Sequence, residues 1–141
     1  MISLIVNFAH NSLLFIQLFD RMKEGGMFFM FPIFIMLLLV LFLVVKSILG
    51  ILKGHSGLQK NIQLINSIGL LTLVWGMLGQ LIGIIGMFDS VEKIGEISTH
   101  IFAGGLKVSA LPPVFGFFVF IISRIATIIF TWIQKENVTH P

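Results

Sequence analysis

The sequence predicts an all-α membrane protein, with three transmembrane helices preceded by an amphipathic helix lying in the membrane interface. Three observations carry this. Of the 141 residues, 57% are hydrophobic and only 11% are charged, against about a quarter charged in a typical soluble domain. The mean hydropathy is +1.06, so the residues needed for a polar surface are missing. The apolar residues also fall into three long runs separated by short polar breaks. The length allows one small domain and no separate soluble module.

In residues 1–19, Ser3, Asn7, His10, Asn11, Gln17 and Arg21 recur at helical spacing, and Leu4, Ile5, Phe8, Leu13, Phe15, Ile16 and Phe19 take the opposite side. Such a helix suits the plane of the interface. As a first span its polar stripe would face hydrocarbon, which weakens that alternative. A positive leading region and a small-x-small cleavage site are both lacking, so the segment reads as retained rather than as a signal peptide. The run DRMKEGG closes it, which gives residues 1–26 as the interfacial helix and break, and residues 27–141 as the three-helix domain.

The first span is expected at about 27–49, around FPIFIMLLLVLFLVV, with no charge before Lys46 and the roughly 20 apolar residues that a crossing needs. Pro32 falls in its first turns, where a missing N–H costs least. The run GILKGHSGLQKN reads as a short connection to a second span at about 62–88. An acidic turn with Asp89, Glu92, Lys93 and Glu96 leads to a third helix at about 101–134. At about 1.5 Å per residue that helix exceeds a hydrocarbon core of about 30 Å, so one end should project into water, and Arg124 and Lys135 mark the C-terminal end. Lys46, Lys53 and Lys60 around the first connection place it inside, with the N-terminus outside and the C-terminus inside.

The second and third spans carry small and polar stripes. Gly69, Gly76, Gly79, Gly83 and Gly86 share an arc of about 100° with Thr72, and Gln80 sits at its margin. Glycine stripes let helices approach closely in lipid, so a tight seam is the plain reading. In the third span, Gly105, Ser109, Pro112, Pro113, Gly116, Ser123, Thr127, Thr131 and Gln134 cluster on one face. Packing against the second span would explain this face, but its length favours oligomerisation around an axis with the face inward. Gln80, Ser109, Pro112, Pro113 and Thr127 are then the expected lumen-lining residues. Gly69, Gly76, Gly79, Gly83, Gly86, Gly105 and Gly116 are the expected packing residues.

No Asp, Glu or His falls inside a predicted span, so this chain alone brings no buried proton-binding group. His10, His55, His100 and His140 are isolated, cysteine is absent, and no nucleophile–base set or phosphate loop occurs. No metal, cofactor or enzymatic activity is expected. The basic residues are scattered singly, unlike a nucleic-acid patch.

KEGGMFFMFPIFIMLLLVLFLVVKSI resembles the start of the ExbB/TolQ/MotA proton-channel family. GMLGQLIGIIGMF is similar to that family's second-span signature at Gly76, Gly79, Gly83 and Phe88. GLKVSALPPVFG resembles the start of its third span at Gly105 and Gly116, with Ala110-Leu111 one place displaced. The resemblance implies a ring-shaped homo-oligomer, a pentamer, in the bacterial inner membrane. Its second and third helices would line a pore that holds an ExbD/TolR/MotB-like single-span partner bearing an aspartate. Proton or sodium flow would drive mechanical work through that partner. The chain departs from the family pattern where threonines are usual, at Gln80 and at Pro112-Pro113, at Ile122 where a proline is usual, and in its short first connection. A non-conducting oligomeric scaffold and a holin-like pore former are the rival expectations.

Overall fold

The computed structural model describes residues 1–24, 26–54 and 57–139. It contains five helices: α1 (Ile2–Glu24), α2 (Met27–Leu52), α3 (Leu58–Ile94), α4 (Thr99–Ser109) and α5 (Leu111–Thr139). His55 and His140, read from the sequence as isolated, lie outside the described residues.

Three spans are long and apolar enough to cross a membrane: Met27–Leu52, Leu58–Ile94 and Thr99–Glu136. In their most apolar stretches only 17 to 33% of residues are buried inside the chain. The remaining apolar surface, including Phe31, Leu38, Phe42, Leu81, Ile85, Phe118 and Ile125, is exposed. No water-soluble fold of this size leaves so much large apolar surface open, so the chain is a multi-pass membrane protein.

The interior is narrow. Met30, Ile33, Val40 and Leu43 of α2 recur at helical spacing and meet Ile62 and Ile65 of α3 and Val119, Ala126 and Phe130 of α5. A helix apolar on every side thus commits one stripe to the bundle and leaves the rest to lipid. The Phe28, Phe29 and Trp75 rings, with centroids 5.2 to 6.4 Å apart, clamp the start of α2 on the middle of α3. Gly79 admits this contact, because a Cβ there would lie 3.0 Å from the Phe29 ring.

The helix limits correct the sequence expectations at several places. The break expected over DRMKE is helical, as α1 continues to Glu24. Asp89, Glu92 and Lys93 belong to the last turns of α3, and the connection shrinks to 95–98. There Gly95, with φ 82°, caps α3 through its N–H to the Val91 carbonyl at 2.9 Å, and Ser98 caps α4. The third span, expected as one helix, is divided into α4 and α5. The break falls at Ala110, which places Pro112 and Pro113 in the first turn of α5. Amides there have no partner within α5, so the prolines remove no hydrogen bond from that helix.

Candidate functional site

The small faces of α3 and the third span meet each other. A Cβ on Gly69 would stand 2.5 Å from Ser123 Cβ, and one on Gly83 would stand 3.0 Å from Ser109 Cβ. A Cβ on Gly76 would meet the Pro112 carbonyl oxygen at 2.7 Å, and one on Gly116 the Thr72 carbonyl oxygen at 2.9 Å. Gly105 lies against Met87. The two helices therefore run antiparallel with backbone nearly on backbone over several turns, as small residues allow in lipid. Gly86 is exposed and a Cβ there would meet nothing within 4 Å, so its expected packing role is not realised within the chain.

The hydroxyls in this seam are satisfied by their own helices. Ser109 donates to Leu106 O at 2.8 Å, Ser123 to Val119 O at 2.8 Å, Thr127 to Arg124 O at 2.9 Å and Thr131 to Thr127 O at 2.7 Å. Thr72 donates to Ile68 O at 2.7 Å and lies 3.1 Å from Met36 Sδ. A serine or threonine bonded back to its helix behaves as a small packing residue. This corrects the lumen expectation for Ser109, Pro112 and Pro113. All three are buried against this chain's own α3, and Pro112 is under 2% exposed. Burial of that degree leaves no surface to line a passage.

The polar surface that stays open lies beside the seam. A groove of about 480 Å3 runs between α3 and α5, lined by Gln63 and Asn66 on one helix and by Arg124, Thr127, Thr131 and Lys135 on the other, with no α2 residue. The Arg124 guanidinium sits 5.0 Å from the centroid of the Phe120 ring, within cation–π range. Asn66 Oδ1 is buried with no hydrogen-bond partner, as is Trp75 Nε1. Thr127 is buried yet reaches the groove wall. Gln80 is half-buried, and by helical spacing of seven it follows Asn66 and Leu73 on one face of α3. Of the five residues expected on a lumen, Thr127 lines this groove, and Gln80 lies two heptads along α3 from its Asn66, outside the lining. Sequence reading missed Asn66 and Gln63. Asn66 shares the period of seven with Gln80, obscured by the stronger glycine stripe, and Gln63 lies three residues before it. Among the described residues no three of His, Cys, Asp and Glu converge.

The architecture is that of a helical membrane protein whose second and third spans form one glycine-lined antiparallel seam. Residues 49–140, which hold this seam, match the family model described as the MotA/TolQ/ExbB proton channel family. The chain belongs to that family. No curated protein and no solved structure matches it.

Proposed function

We propose that the chain is the channel-side, stator-type subunit of an ion-driven motor in the bacterial inner membrane. Several copies, five by family analogy, surround an axis occupied by an ExbD/TolR/MotB-like single-span partner that carries the membrane aspartate. The groove between α3 and α5, where Gln63, Asn66, Arg124, Thr127, Thr131 and Lys135 gather, supports this reading, because it lies within the family-matched region and no α2 residue lines it. Gln80 and Thr127, with Asn66, turn toward the axis. Since the carboxylates of the described spans, Asp89, Glu92 and Glu136, fall only in their last turns, the proton- or sodium-binding group at membrane depth comes from the partner. Lys46, Lys53 and Lys60 at one end, with Asp89, Glu92 and Glu96 at the other, favour an inside C-terminus and an outside N-terminus. The exposed Leu4, Ile5 and Phe8 of α1 suit an interfacial position.

Arg124 favours a second reading. A fixed cation in the groove opposes cation passage unless the partner's carboxylate neutralises it, which suits a scaffold that assembles without conducting. Reconstitution of the chain with the single-span partner co-purified from native membranes separates the two. A pH jump that drives dye-reported proton or sodium flux only when both subunits are present supports the motor. A stable complex with no flux above empty vesicles leaves the scaffold.

A further inference from the structure

The end of the bundle where α2 hands over to α3 holds a second pocket, of about 410 Å3 and distinct from the α3–α5 groove. Lys46, Lys53 and Lys60 line it, together with Ser47, Gly57 and Asn61. The three lysines recur every seven residues, with Lys46 in the last turns of α2 and Lys53 its C-cap residue. Lys60 lies in the first turn of α3, whose N-cap Gly57 offers no side-chain oxygen to the free amides. Among the described residues no carboxylate pairs with any of the three lysines, and the sequence holds no acid between Glu24 and Asp89. Three cations and an uncapped helix N-terminus around one hollow repel one another unless an anion sits among them.

We propose that this pocket binds the headgroup of an anionic phospholipid. The phosphodiester accepts from the lysine ammonium groups and from the α3 N-terminal amides, the arrangement that favours phosphate oxygens. Lys46 lies six residues before the end of α2, about 9 Å deeper at the helical rise, so its side chain reaches up to headgroup level. Directly below, Leu38, Phe42, Val45 and Leu49 form an exposed apolar strip on the adjoining face of α2, where an acyl chain continues. That strip selects a lipid over a soluble phosphate. The site is independent of ion conduction.

The test measures the association of spin-labelled phosphatidylglycerol and phosphatidylcholine with the full chain in phosphatidylcholine vesicles. The wild type should prefer the anionic lipid several-fold. The preference should fall by up to about fivefold per lysine removed, and Lys46→Gln/Lys53→Gln/Lys60→Gln should bring it close to one. Lys93→Gln/Lys107→Gln, at the opposite end of the bundle, should keep it. A wild type without preference overturns the proposal, as does a triple variant that retains it. Loss of preference in excess inorganic phosphate would assign the pocket to a soluble anion and overturn it too. Circular dichroism of the triple variant checks folding, and Lys60→Gln alone, halfway between wild type and triple variant, supplies the same reading if the triple variant is unfolded.

Discussion

Replacing Gly76 by alanine attacks the seam where it is narrowest. The added Cβ would lie 2.7 Å from the Pro112 carbonyl oxygen, 3.1 Å from its carbonyl carbon and 3.0 Å from Pro113 Cα. All three are backbone atoms, so no side-chain rotation relieves the clash. Ordinary contact near 3.4 Å requires the helices to separate by about 0.7 Å, and a gap of about 0.5–1 Å already forfeits a quarter to a half of each dispersion well it opens. That loss spreads to the neighbouring pairs Gly69–Ser123 and Gly116–Thr72, because the two helices move as rods. The expected cost is that of overpacking, about 1–3 kcal/mol. Gly86→Ala is the control, since its Cβ meets nothing within 4 Å. Thermal unfolding in detergent, followed by Trp75 and Trp132 fluorescence, should place Gly76→Ala several degrees below Gly86→Ala, with Gly86→Ala near wild type. Equal midpoints for the two variants would refute the close seam.

The same geometry fixes other outcomes. Trp75 Nε1 is buried without a partner, so Trp75→Phe relieves an unsatisfied donor worth about 1–3 kcal/mol and should be nearly neutral, whereas Trp75→Ala should cost about 3–5 kcal/mol, both read as denaturation midpoints. Pro112→Ala/Pro113→Ala supplies two amides that can reach the Val108 and Ser109 carbonyls. Hydrogen exchange over 108–114 should slow as α4 and α5 merge. Arg124→Gln removes the groove's cation, so cation flux of the reconstituted complex should rise if Arg124 faces the ion path, and stay unchanged if the path lies elsewhere.

Much of the fold was legible because lipid demands length and apolarity, both visible in one dimension. The three spans follow from runs such as FPIFIMLLLVLFLVV. Helix limits were less legible where charge misled. DRMKE and Asp89 to Lys93 read as loops, yet polar residues extend a helix readily once it leaves the hydrocarbon, and α1 and α3 contain them. The site was legible only in part. A hydroxyl-bearing stripe looks like a wet surface in sequence, but Ser109, Ser123 and Thr127 spend their donors on their own backbone and pack as small residues. Pro112 and Pro113 fit that seam because the helix break at Ala110 left them in a first turn. The polar groups beside the groove, half-buried Asn66 and exposed Arg124, sit one step around each helix from the stripe. Such a displacement depends on where α2 packs, which no periodicity within α3 or α5 encodes.

The central claim is that the α3–α5 face bearing Asn66, Leu73 and Gln80 turns away from lipid in the assembled protein. The chain has no cysteine, so a single introduced cysteine places a nitroxide at each position in the native complex, with Leu38 and Phe42 of α2 as lipid-facing references. Collision rates with oxygen and with a water-soluble nickel chelate measure exposure to hydrocarbon and to water. Labels at 66, 73 and 80 should be shielded from oxygen relative to 38 and 42, with the chelate reaching 66 first. Oxygen collision rates at 66, 73 and 80 equal to those at 38 and 42 would put this face in lipid and contradict the account.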